Sequence, residues 1–146
     1  MKNFLIGMLL ITATVACSDD DTLNNNPNLL DVNVNFQIDL SLPQYNSLNF
    51  PSSPVYVPNY GNGGVVIMKS GTDAFVAYDA ADPNHPRQNE CVAMEVDGVQ
   101  LYCSCEGNTY DLFTGGVVEG EEEDLEYPLF RYRVVSSGNG LLNVRN

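Results

Sequence analysis

Apolar and polar residues alternate without a break over residues 32–40. Val32, Val34, Phe36, Ile38 and Leu40 are apolar, and Asn33, Asn35, Gln37 and Asp39 between them are polar. A period of two describes a strand with one buried and one wet face. Residues 65–68 form a continuous apolar run that predicts a buried strand, and residues 74–78 predict another after a Ser70-Gly71-Thr72-Asp73 turn. Residues 94–101 predict a hairpin in which Asp97-Gly98 supplies the positive backbone angles of a two-residue turn. Residues 110–113 with 116–118 predict a second hairpin. Residues 130–135 with 141–144 predict a third, around Ser137-Gly138-Asn139-Gly140. Pro43, Pro51, Pro54 and Pro58 break the region after the first strand into loops and short edge pieces. No segment sustains a 3.6-residue period, so the expectation is an all-β sandwich or barrel of short antiparallel strands, with one domain over 31–146.

Composition narrows the function classes. The 146 residues include 44% apolar and 10% aromatic positions, enough for a packed core. The formal net charge of −13 argues against a nucleic-acid partner, whose phosphates are bound through Lys and Arg. It also disfavours adsorption to anionic lipid headgroups.

The N-terminus has the form of a targeting segment. Lys2 precedes a short apolar run over residues 4–15 that is too short to span a membrane, and the run ends in Thr14-Val15-Ala16-Cys17. This resembles the lipobox of bacterial lipoproteins. The resemblance implies a signal peptide over 1–16, acylation of Cys17 and attachment to the membrane through that residue. Ser18-Asp19-Asp20-Asp21 resembles an acidic export signal, which implies surface display on the outer membrane of a Gram-negative bacterium. The Asn-rich stretch that follows has too few apolar residues to fold and reads as a flexible tether, 17–30 in all.

Chemistry concentrates in Cys103-Ser104-Cys105-Glu106-Gly107-Asn108-Thr109-Tyr110-Asp111-Leu112-Phe113-Thr114-Gly115. As Cys-x-Cys-x-Gly followed by an aromatic-Asp pair and a Gly turn, it resembles the second cluster box of Rieske iron–sulfur proteins. The resemblance spans roughly residues 65–144 and includes the closing strand Tyr127-Pro128-Leu129-Phe130-Arg131-Tyr132-Arg133-Val134. It implies a Rieske-like all-β fold. A Rieske [2Fe–2S] centre takes two His on one iron and two Cys on the other. Mapped onto this chain, His85 and Cys103 are the remnant cluster positions. Glu106 stands at the second His, and Asp82 or Pro83 stands at the first Cys. With one histidine in the chain, the standard cluster cannot be assembled.

The remaining ligand types leave two readings. His85, Cys91, Cys103 and Cys105 form an alternative Cys3His set for a [2Fe–2S] cluster or for zinc. An extracytoplasmic compartment and the missing ligands favour instead a disulfide from Cys91 to Cys103 or Cys105 and no cofactor. The family resemblance implies Cys105 as the partner, leaving Cys103 free. No arrangement of side chains in the sequence supports an enzyme. The run Glu119–Glu126 holds six acids in eight residues. It reads as a solvated loop ahead of a calcium site, because it lacks the alternating order of a known calcium loop. The functional expectation is a lipid-anchored, non-catalytic binding or assembly module, its protein partner unspecified. The alternatives are an electron-transfer protein with unusual ligands or a zinc-binding, thiol-active module.

Overall fold

A computed structural model describes residues 25–86, 88, 90–120 and 125–146. The expected signal peptide over 1–16, Cys17, the acidic Ser18–Asp21 stretch and residues 121–124 of the Glu119–Glu126 run lie outside the described residues. The described chain is all-β and antiparallel, as the alternation predicts. Ten strands run in chain order as β1 (Asn35–Asp39), β2 (Val55–Val57), β3 (Val65–Lys69), β4 (Phe75–Asp79), β5 (Glu95–Asp97), β6 (Gln100–Tyr102), β7 (Thr109–Asp111), β8 (Val117–Glu119), β9 (Arg131–Ser136) and β10 (Leu141–Arg145). They form a six-stranded sheet in the order β1-β10-β9-β4-β3-β2 and a four-stranded sheet in the order β5-β6-β7-β8.

The strand patterns explain the layering. In β1, Phe36 and Ile38 are buried while Asn35 and Gln37 are exposed, and Val34 just before it is buried too. They join Leu48, Val57, Val65, Ile67, Ala77, Tyr132, Leu142 and Val144 in a first core. The opposite face of β3 and β4 is equally apolar. Val66, Met68, Val76 and Tyr78 pack with Leu101, Cys103, Tyr110 and Leu112 from the four-stranded sheet in a second core. The run at residues 65–68 does not alternate because β3 is buried on both faces. These two strands are the wall common to both cores.

The sequence expectations need three corrections. The turn between β5 and β6 is Gly98-Val99, not Asp97-Gly98: Asp97 pairs with Gln100, and Gly98 carries the positive φ of +57°. A glycine at the first loop position accepts that angle without a Cβ penalty, so Asp97 stays in the strand. The proline-rich region holds a 3-10 helix, Pro43–Asn49, which pins Leu48 into the first core, as well as the expected short edge strand β2. Finally, the end of the Asn-rich tether is not free. Asn26 and Asn28 each donate a side-chain amide to the Pro83 carbonyl, at 2.8 and 2.9 Å, and Leu30 exchanges hydrogen bonds with the Asn62 side chain. These contacts satisfy polar groups that an unfolded tether would leave to water.

Candidate functional site

Two loops at one end of the second core carry the residues singled out from the sequence. The first leaves β4 and runs through Asp82, Asn84 and His85 to Cys91 before returning at Met94, whose N–H donates to the Ala80 carbonyl at 2.7 Å. Its approach to the neighbouring loop requires Gly63, where a Cβ would lie 2.5 Å from both the Ala81 nitrogen and the Val92 oxygen. The second is the turn from β6 to β7, which contains the Cys-x-Cys-x-Gly motif. It is closed by Cys103 N–H to Asn108 O at 2.8 Å and Gly107 N–H to Cys103 O at 2.9 Å, with Gly107 at φ +72°.

A disulfide joins these loops. Cys91 and Cys105 are bridged across 14 residues with Cα atoms 6.4 Å apart, the pairing that the family resemblance implied. Cys103 is the free, buried thiol. Burial pushes it above its ordinary range. A hydrogen bond to Asp82 adds to that rise, and the backbone N–H groups of Cys105 and Glu106 work against it.

His85 and Glu106 form the second link, with Nε2 3.0 Å from Oε1. The imidazole is 9% exposed and the carboxylate 43%, so the contact lies at the rim. It is an ion pair when the imidazole is protonated.

Beneath this rim, Asp82 is 7% exposed. One carboxylate oxygen accepts the Tyr110 hydroxyl at 2.6 Å and the Asn84 N–H at 2.9 Å, and the other accepts the Asn108 amide at 2.9 Å. The Asn84 side chain donates to the Tyr110 oxygen and to the Tyr127 carbonyl, and accepts from the Tyr127 N–H. Desolvation, with the neighbouring carboxylate behind it, drives the Tyr110 phenol strongly upward. A second buried carboxylate, Asp79, accepts five hydrogen bonds: from the Asn62 backbone and side chain, the Gly63 and Ala81 N–H groups, and the Tyr132 hydroxyl. Sequence reasoning passed over Asn84, Asn108 and the Asp79 hub, because each works through partners distant in the chain.

The four positions that the Rieske resemblance assigns to cluster ligands therefore fall into two pairs. His85 meets Glu106, and Asp82 and Cys103 line the same small pocket. Asp82, not Pro83, lines that pocket. This donor set does not fit a [2Fe–2S] cluster. One imidazole and one thiolate remain, and carboxylates are hard ligands that suit thiolate- and sulfide-bound iron poorly. The bridge also withdraws Cys91 and Cys105 from the Cys3His alternative. Among the described residues, no three His, Cys, Asp or Glu side chains gather as a group that could hold a metal ion.

Comparison with known proteins adds little beyond the architecture. No protein-family model matches the sequence, and a search of curated proteins finds no match. Among solved structures, the chain is similar to one in the complex of reduced oxygenase and oxidized ferredoxin in carbazole 1,9a-dioxygenase. Identity is 20%, over 65% of this chain and 82% of that one, with a TM-score of 0.42.

Proposed function

We propose that this chain is a lipid-anchored, extracytoplasmic Rieske-like module in which direct protein contacts take the place of a cluster, and that it serves binding or assembly and not catalysis. The observation that carries this reading is the His85–Glu106 contact, with Asp82 and Cys103 lining one small pocket beside the Cys91–Cys105 bridge. A cluster normally ties its two loops together. Here a disulfide, a rim contact and a buried carboxylate network do so, and the loops need no metal to be held. The N-terminal Thr14-Val15-Ala16-Cys17 motif supports the anchor, and the acidic residues after it support surface display.

The deciding experiment is a visible absorption spectrum with iron, sulfide and zinc analysis on anaerobically purified protein. A colourless, metal-free chain is expected. A brown chain with about two irons and two sulfides would overturn the reading and make the protein an electron carrier. The anchor is tested separately. Cys17→Ser should move the protein from membrane to soluble or precursor fractions, and unchanged partitioning with residues 1–16 intact would refute lipidation.

A further inference from the structure

Charge is divided between two sheet faces of opposite sign. On β9, Tyr132 belongs to the first core, so Arg131 and Arg133 on either side of it share the opposite face, and both are exposed. The register puts Arg145 of β10, also exposed, directly opposite Arg133. Three of the four arginines in the chain therefore stand on two neighbouring strands. Like charges directly opposite each other destabilise a sheet. Nothing on the chain relieves this pair: among the described residues the only ion-pair contact is His85–Glu106.

The four-stranded sheet carries the other sign. Leu101 and Tyr110 face the second core, so the residues alternating with them face outward. One outward row runs from Glu95 through Tyr102 and Thr109 to Glu119, and the next from Asp97 through Gln100 to Asp111. These rows hold four carboxylates, and none of the four strands contains a Lys or Arg. The faces match in spacing as well as sign. Arg131 and Arg133 stand two residues apart on β9, and the exposed Glu95 and Asp97 stand two apart on the edge strand β5. Both pairs therefore repeat at about 6.8 Å.

We propose that these faces form a self-association interface, in which the arginine face of β9 and β10 in one copy docks on the acidic face around β5 in a second copy. Arg131 and Arg133 pair with Glu95 and Asp97, since a guanidinium fork matches a carboxylate. The net charge of −13 repels a second copy at long range. That repulsion is screened over about 8 Å at physiological ionic strength, whereas paired charges in contact are much closer than that. The faces, not the net charge, decide the contact. This interface gives the assembly reading its partner, and it rests on register and exposure. An iron-loaded protein would overturn the cluster-free reading and leave the interface untouched.

The test is analytical sedimentation of the full chain carrying Cys17→Ser, so that no acyl chain drives association. At about 0.15 M salt the protein should form dimers or larger species as its concentration rises, and at about 1 M salt it should return to monomer. A monomer at every concentration up to about 1 mM, or association that strengthens with salt, would overturn the proposal. Two variants then isolate the faces. Arg131→Gln, Arg133→Gln and Arg145→Gln together clear one, and Glu95→Gln with Asp97→Asn clears the other. Each variant alone, with its fold checked by circular dichroism, should be monomeric. An equimolar mixture should form a one-to-one dimer, because it keeps one intact face of each sign. Association of either variant alone, or a mixture that stays monomeric, would overturn the proposal. So would a wild-type chain that stays monomeric while its arginine face captures polyglutamate, which points to a foreign acidic partner instead.

Discussion

The Tyr110 hydroxyl and the Asp82 carboxylate meet at 2.6 Å in the protein interior, tying β7 to the loop that leaves β4, 28 residues earlier in the chain. Asp82 is one of the two positions, with Pro83, at which the Rieske resemblance expects a thiolate ligand, and the phenol is one of the groups that make a buried carboxylate tolerable there. A buried carboxylate left short of a donor bears the desolvation cost of the missing hydrogen bond. Tyr110→Phe should therefore destabilise the fold by about 1–3 kcal/mol, read as a lower urea midpoint with an unchanged slope.

The Cys91–Cys105 bridge closes its 14-residue loop in the unfolded chain as well as the folded one. Replacing both cysteines with alanine should lower stability by about 2–4 kcal/mol. Denaturant titration of the double variant checks this, and an effect under about 0.5 kcal/mol would show that the loop is already ordered by its polar contacts.

The Asp79 hub should be less tolerant still. All five groups that bond to it, from four residues, are donors, so Asp79→Asn turns one acceptor into a donor facing other donors. The expected cost is about 3 kcal/mol or more, because buried donors are left facing one another. Tyr132→Phe, which removes a single donor, should cost less, and the reverse ranking in thermal melts would contradict the network as described.

Alkaline titration gives an independent view of the same two carboxylates. Tyr110 and Tyr132 are both shifted upward, through desolvation first and then the carboxylate beside each. The folded state thus holds these protons more tightly than the unfolded state. The linked stability is complete below about pH 10, the ordinary tyrosine value, and is lost as pH rises from there toward the raised folded values. Phenolate absorbance should show Tyr110 and Tyr132 ionising only as the chain unfolds.

What could be read ahead of the structure was local. The alternation at β1 and the three glycine-marked hairpins lie within short windows and came through, with strand ends displaced by a residue or more. The 3-10 helix Pro43–Asn49 did not, because one buried residue, Leu48, leaves no period to detect. At the site, the cysteines and His85 were visible as residue types, and the bridge followed from a family pattern. The clamp on Asp82 was invisible. Asn84, Asn108 and Tyr110 come from separate loops and strands, and nothing in a loop asparagine distinguishes a buried partner from a solvated one until the sheets are paired. The docking of Asn26 and Asn28 on Pro83 was hidden for the same reason.

Because β3 and β4 face apolar cores on both sides, the two sheets cannot melt one after the other. Peeling the four-stranded sheet away would leave Val66, Met68, Val76 and Tyr78 open to water on strands still holding Val65, Ile67 and Ala77. Loss of one side undermines the other, and unfolding should be a single transition by both near-ultraviolet and far-ultraviolet circular dichroism. The slowest amide hydrogens to exchange should then be those of β3 and β4, and their exchange should report global opening. The loop of the Cys-x-Cys-x-Gly motif, fastened to this wall through Cys103, thereby draws its rigidity from hydrocarbon packed on the far side of another sheet.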